Sequence, residues 1–354
     1  MNISRRTGIF AASAASAAIL ALSLTACGSS AEPGANSSAA PSASADFSPV
    51  TIKNIYGETE ITEVPETIAT ISWVNADTLL ALDTVPAGMD TDTYGQNANN
   101  STDWKDAALA ELGASIGSEK APKQFDIADG IDFTSIAELK PDVIFAPYSG
   151  MTQEEYEKLE KIAKVVGPIE ANYTTSWQDA TEAAGQMLGK QDQATALISE
   201  IEGKMAAVGE ENPVLKDSTF IAADLSSPET SYVYSTGDTR PRFLTALGMK
   251  QAPYVDENAA KDAFYFTVSP EKVNEWDADV VFASAVAGNS VDDIVKAQPL
   301  YGQIPAVKND AVALPGTDQA TLSISAASPL SIEWALEHVV PNIVKAAENA
   351  AAAK

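Results

Sequence analysis

Cysteine, histidine and positive charge are scarce in this sequence. One cysteine, Cys27, and one histidine, His338, occur in 354 residues. A lone cysteine excludes an intrachain disulfide. A lone histidine, with no second His or Cys near it in sequence, argues against a protein-held zinc or manganese ion, which needs several converging N, S and O ligands. No metal site and no cofactor is therefore expected. Lysine and arginine together number 22 against 49 acids, a net charge of -27. Such a field repels phosphate backbones and argues against nucleic acid as a partner. Catalytic signatures are missing too: no Cys–His pair, no G-x-S-x-G, no phosphate-binding P-loop and no G-x-G-x-x-G. Nothing points to an enzyme. After residue 26 no apolar run is long enough to cross a bilayer.

The start of the chain explains the single cysteine. Arg5 and Arg6 precede an Ala-, Leu- and Ser-rich run from Ile9 to Ala26, the pattern of a secretory signal over residues 1–26. The stretch "SRRTGIF" also carries a twin arginine. Leu24-Thr25-Ala26-Cys27 resembles the bacterial lipobox. That resemblance implies cleavage before Cys27 and a diacylglycerol on its thiol. The acyl chains, palmitate among them, would hold the protein on the extracytoplasmic face of the cell membrane, each buried CH₂ contributing about 0.8 kcal/mol. Residues 27–46 are Ser, Ala, Pro and Gly with almost no large apolar side chain, and read as a disordered tether. Loss of Arg5 and Arg6 takes the net charge from -27 to -29 (-27 minus 2).

The rest alternates strands and helices, which predicts an α/β fold with mostly parallel sheets. "VTIKNIYGETEITEVP" reads as a hairpin. "TISW", "VPAGMD", "DVIFAPYSG" and "KVVGPI" read as strands of a first lobe, 47–175. Asn75 is placed to cap the helix after "TISW", and Thr152 with Glu155 to form a capping box. Residues 177–208 keep a 3-4 apolar spacing and predict a long connecting helix, assigned to 176–209, about 48 Å if unbroken; Gly185 and Gly189 are the points where it could divide. A second lobe, 210–354, repeats the alternation and ends in a helix that Pro341 kinks or divides. "SIAELKPDVIFA" and "KVNEWDADVVFASA" echo one another, as expected of two lobes on one plan.

The segments "TISWVNADTLLALDTVPAGM", "DGIDFTSIAELKPDVIFAPYSGMTQEEYEKLEKIAKVV", "TSWQD", "GDTRPRFLTALGM", "PAVKNDAVAL" and "SPLSIEW", in this order and spacing, resemble the substrate-binding lipoproteins of ABC importers. Within them the chain is similar to the subfamily that takes up ferric siderophores and, in relatives, vitamin B12 or haem. The resemblance implies two Rossmann-like lobes joined by a long backbone helix, the class III periplasmic-binding-protein architecture, with the ligand in the groove between lobes. It also implies docking to the permease through one acid on each lobe. Glu271 matches the second-lobe position; Thr134 stands at the first, where relatives usually carry Glu, so that Asp132 or Glu138 would have to substitute.

Ligand candidates follow from chemistry. Arg240 and Arg242 are the only arginines after the signal, and a guanidinium suits carboxylate, hydroxamate or catecholate oxygens. Ligands in α/β folds lie beyond the carboxyl ends of strands, where Trp73, Tyr148, Ser149, Gly150 and Ser284 are expected. Tyr94, Tyr234 and Phe266 complete the aromatic set that would wall a bulky chelate. The expected function is a monomeric, lipid-anchored protein that binds a ferric siderophore and delivers it to an ABC permease of the cytoplasmic membrane. The negative field favours a cationic or neutral hydroxamate over a trianionic catecholate complex. Haem or cobalamin transport, and a surface adhesion or scaffold role, stand as alternatives.

Overall fold

A computed structural model of the chain describes residues 47–171, 173–260, 263–286 and 290–354, with 284–286 described by backbone alone. The signal, the tether, Cys27 and the side chain of Ser284 lie outside the described residues. The alternating segment near residue 50 forms the expected hairpin: Val50–Asn54 (β1) and Gly57–Ile61 (β2) pair antiparallel, Val50 against Ile61 and Asn54 against Gly57.

Short apolar runs then build the first lobe's sheet from Ile68–Thr70 (β3), Gly88–Asp90 (β4), Lys123–Phe125 (β5), Val143–Phe145 (β6) and Lys164–Val166 (β7). Their order is β5-β4-β3-β6-β7 and every pair is parallel. The chain leaves β3 toward one side and later returns to β6 on the other. The crevice beyond the carboxyl ends of β3 and β6 is therefore a topological switch point, where α/β sheets bind ligands. Four helices cover the sheet: Asn75–Leu80 (α1), Asp103–Glu111 (α2), Phe133–Leu139 (α3) and Gln153–Leu159 (α4). Thr152 and Glu155 make the capping box that starts α4. Asn75 does not cap α1. It is fully buried and bonded elsewhere, and Val74 at the cap makes no side-chain bond.

The second lobe's strands are Thr219–Leu225 (β8), Ser231–Tyr234 (β9), Lys250–Gln251 (β10), Tyr265–Val268 (β11), Val280–Val286 (β12) and Val312–Ala313 (β13). They run β11-β9-β8-β12-β13, with β10 also beside β8. Only part of this sheet is parallel: β9 runs antiparallel to β8 and β11. The antiparallel β9–β11 pair extends a parallel core of β10, β8, β12 and β13. "SPEKVNEWD" is a 3-10 turn, Pro270–Glu275, and Ser269 makes no capping bond from its side chain. The terminal helix divides as expected into Pro329–His338 and Val340–Ala352, with Pro341 in the first turn of the second piece, where its missing N–H costs nothing.

The connector differs from a single rod. Trp177–Leu188 (α5) ends at Gly189, which takes the left-handed conformation at φ 66°, and Gln191–Glu211 (α6) starts two residues later. The amide of Gln178 donates to the Glu202 carboxylate at 3.0 Å. A Cβ at Gly185 would stand 2.6 Å from the Ala194 Cβ. The first contact pairs the start of α5 with the middle of α6 and the second the end of α5 with the start of α6, so α5 folds back along α6. The long helix between lobes is α6 alone, about 31 Å long. Ala194 near its start packs in a first-lobe cluster, and Ile201 and Met205 belong to the second lobe's core.

Candidate functional site

Trp73 follows β3 and Tyr148 follows β6, so the two flank the switch point. Tyr148 is held by Asn75, whose amide donates to the Tyr148 carbonyl at 2.9 Å and accepts from its N–H at 3.2 Å. Asn75 is thus a positioning residue that sequence reasoning took for a helix cap. Between Trp73 and Tyr148 stands Tyr173, which the sequence reading missed. Its ring stacks on Trp73 with centroids 5.5 Å apart and planes 15° from parallel, and tilts against Tyr148 at 5.7 Å. The fit requires glycine at 150, where a Cβ would lie 2.3 Å from the Tyr173 ring. The signal for Tyr173 is a lone aromatic in the polar stretch "EANYTTS".

On the second lobe the helix Thr239–Ala246 opens with Asp238, whose carboxylate accepts from the Arg240 N–H at 2.8 Å and pairs with the Arg240 guanidinium at 2.8 Å. That guanidinium lies over the Tyr234 ring, 4.0 Å from its centroid, a cation–π contact. The Arg240 Nε–H is buried without a hydrogen-bond partner. Burial lowers the affinity of Arg240 for its proton, and Asp238 more than offsets this, so the guanidinium stays charged. Burial pushes the Tyr148 phenol up, Asp238 adds to that, and Arg240 opposes it. Thr239, next to Arg240, donates to the Ser325 carbonyl at 2.6 Å. Tyr148 also reaches the Ser325 carbonyl at 3.4 Å.

The remaining candidates divide. Tyr94 is exposed and donates to Asp318 at 3.3 Å, bridging the lobes at the rim. Burial and Asp318 raise its phenol, and Arg240 is close enough to oppose them. Ser149 is buried and donates to the Ala146 carbonyl at 3.1 Å. Arg242 is a strut: its Nε–H donates to the Thr236 carbonyl at 2.9 Å and Nη1 to the Thr174 carbonyl at 3.0 Å, tying the second lobe to the segment that carries Tyr173. Phe266 is half-buried on the second lobe. In register it faces Val233, a fully buried residue, and packs against the second lobe's core beside Tyr254. Antiparallel pairing places opposed residues on one face, and here that is the core face. Glu271 is exposed, in the 3-10 turn, and accepts from the Ser269 hydroxyl, which holds its carboxyl below the usual range. Of the first-lobe acids, Asp132 caps α3 and Glu138 pairs with Lys123 at 3.3 Å, while Thr134 is exposed.

Three cavities adjoin this region. One of 240 Å³ lies wholly in the first lobe, under Trp73 and Tyr173, with Asp90 and Ser149 in its wall. One of 790 Å³ lies between lobes and includes Thr174, Thr236, Asp256 and Phe264. One of 580 Å³ lies behind it against Trp177, Met205 and Phe243. Arg242 lines both of the latter.

Behind the first-lobe cavity is a buried ion cluster. Lys105 contacts Asp92 at 2.7 Å, the Trp73 carbonyl at 3.4 Å and Asp77 at 3.7 Å. Asp77 accepts from the Trp104 indole at 2.7 Å and from Ser328 of the second lobe at 2.8 Å. Around it Val74, Trp104 and Tyr148 pack against Leu322 and Ala326, closing the joint between lobes. Burial alone would strip the Lys105 proton; Asp92 and Asp77 more than offset that. Among the described residues no group of three or more His, Cys, Asp or Glu is arranged to hold a metal, and no helix is long and apolar enough to cross a membrane.

The family model described as periplasmic binding protein matches residues 68–316. PiaA of Streptococcus pneumoniae TIGR4, solved in complex with ferrichrome, is 30% identical with a TM-score of 0.75, the match covering 84% of this chain and 99% of that one. The Fe(3+)-citrate-binding protein YfmC of Bacillus subtilis strain 168 is 26% identical over 199 residues, which is 52% of this chain and 60% of the relative's length. SirA of Staphylococcus aureus, solved with staphyloferrin B, is 22% identical with a TM-score of 0.63, covering 83% of this chain and 98% of that one, and is similar in fold.

Proposed function

The chain belongs to the periplasmic binding protein family of extracytoplasmic solute-binding proteins, and from that premise we propose that it captures a ferric siderophore between its lobes and hands it to an ABC permease. The observation that carries this reading is that Trp73, Tyr173 and Tyr148 of one lobe meet the start of the helix that carries Arg240, itself over Tyr234, where Tyr148 and Thr239 both donate to the Ser325 carbonyl. Aromatic faces take the organic shell of a chelate, and a charged guanidinium with an N–H to spare takes its anionic oxygens. The kinship with PiaA, solved with ferrichrome, favours a hydroxamate. So does the net charge of -27, which disfavours a trianionic complex. Binding is reversible and involves no covalent step; the iron arrives already wrapped and takes no ligand from the protein.

Cys27 carries the lipid anchor in this account, the protein works as a monomer, and Glu271 is its second-lobe contact with the permease. The relative named for Fe(3+)-citrate supports a second reading, a ferric hydroxycarboxylate on Arg240. Tryptophan fluorescence of the purified protein, titrated with ferrichrome, ferrioxamine B, ferric citrate, ferric enterobactin, haem and cobalamin, separates these. Saturable quenching, tightest with a hydroxamate, is expected. Tightest binding of citrate shifts the reading to the second, and response to haem or cobalamin alone, or to nothing, overturns both.

A further inference from the structure

The 240 Å³ first-lobe cavity is too small for a whole chelate, since drug-sized ligands occupy roughly 300–1,000 Å³. Its chemistry is also unlike that of the Arg240 side. Two aromatic faces, Trp73 and Tyr173, and two carboxylates, Asp90 and Glu155, line it, and no cation does. Asp90 ends β4, and its carboxylate accepts from the Ser72 N–H at 2.6 Å, a bond set up by the left-handed backbone of Ser72 at φ 72°. The groups facing Asp90 are the Ser72 amide, Lys105 on α2, Asp92, Glu155 on α4 and the Tyr173 phenol. Lys105 is committed to Asp92 and Asp77. One ammonium thus serves two buried carboxylates, Asp77 and Asp92, and the half-buried Asp90 beside them, and the site is short of positive charge.

We propose that this cavity binds a protonated amine carried on an arm of the chelate, with Asp90 as its counter-ion and the free face of the stacked Trp73–Tyr173 pair as its cation–π wall. The proposal rests on the siderophore reading and names a second, cationic point of recognition beside the anion-binding Arg240. The aromatic pair supplies attraction that a desolvated ammonium retains. The half-buried Asp90 carboxylate supplies the charge-assisted hydrogen bond. Burial pushes the Asp90 carboxyl up to about 7, with the Ser72 N–H and Lys105 opposing and Asp92 adding. In the empty site the carboxyl therefore holds a proton below that pH, and an entering ammonium displaces it. Affinity for the amine rises as pH rises through 7.

The test uses two iron-loaded linear trihydroxamates that differ in one group: ferrioxamine B, which ends in a primary amine, and its N-acetylated form, which is neutral there. Both are titrated against the full mature protein by tryptophan fluorescence. At about pH 8 the amine form should bind about tenfold more tightly than the acetylated form, and its affinity should fall about tenfold by about pH 6 as Asp90 takes up its proton. The acetylated form should change little over that range. Asp90→Asn keeps the acceptor for Ser72 and should bind both chelates alike at both pH values. Equal affinities for the wild-type protein, or a preference that Asp90→Asn retains, overturn the amine site and leave the siderophore reading standing. Failure of both chelates to bind overturns the two together.

Discussion

The Asp77–Asp92–Lys105 cluster and the Asp238–Arg240 pair stand on opposite sides of the groove and are built from the same chemistry. They differ in which group is left over, an acceptor in the first and a donor in the second. In the first, Lys105 reaches Asp92, Asp77 and the Trp73 carbonyl, and Trp104 and Ser328 both donate to Asp77 Oδ2, while Asp77 Oδ1 is left with no hydrogen bond and only the ion pair to Lys105 at 3.7 Å. That cluster joins the lobes and holds the backbone of Trp73. In the second, Asp238 takes the Arg240 amide and one end of its guanidinium, while Nε–H is left buried without an acceptor. A buried donor without a partner costs about 1–3 kcal/mol unless a ligand supplies one. The first arrangement serves the fold; the second is poised for an anionic oxygen.

The largest effect should come from breaking the first. Lys105→Met leaves Asp77 and Asp92 without their cation and should cost about 3–5 kcal/mol in urea unfolding. A loss under about 1 kcal/mol would show that the cluster carries little of the joint. Asp90, at its edge, should work in the opposite sense. Its folded carboxyl titrates at about 7, whereas the unfolded chain releases that proton near 4. Between about pH 4 and 7 the folded state binds more protons, so stability falls as pH rises through that window. Asp90→Asn should remove this slope and be more stable than wild type by about 2–4 kcal/mol at about pH 8, with no difference at about pH 4; parallel stability curves would contradict the shift.

A control without charge is Gly185→Ala, which places a methyl against Ala194 where α5 folds back on α6. Overpacking there should cost about 1–3 kcal/mol, read as a lower unfolding midpoint, and an unchanged midpoint would mean that the hairpin can open to admit it. The smallest effect should be at the rim. Tyr94→Phe removes the exposed bond to Asp318 and should change stability by less than about 1 kcal/mol. A larger loss would make the rim, and not the buried cluster, the main tie between lobes.

Much of this was legible in the sequence where one local rule decides. The capping box at Thr152, the break at Pro341 and the strand ends carrying Trp73 and Tyr148 each follow from short-range chemistry. Arg240 was visible because arginine is rare. Long-range packing decided the rest. Nothing local tells that α5 folds back along α6, although Gly185 and Gly189 mark where. Phe266 reads as a groove aromatic, and only its register against Val233 shows that it also packs on the core. Arg242 is as rare as Arg240, yet its donors go to two carbonyls. Asp90 ends a strand, as Trp73 nearly does, but an acid among 49 carries no signal without the cavity it lines.

The most direct test of the central claim is the ferrichrome affinity of Arg240→Ala beside wild type, measured by tryptophan fluorescence with the unfolding midpoint taken in parallel. The account predicts affinity weakened about 30-fold or more, as for loss of a charge-assisted bond in a desolvated site, with a midpoint within a few degrees of wild type. Unchanged affinity, or a loss that tracks a collapsed midpoint, would place Arg240 with Lys105 as a support of the fold and remove the anion-binding half of the groove.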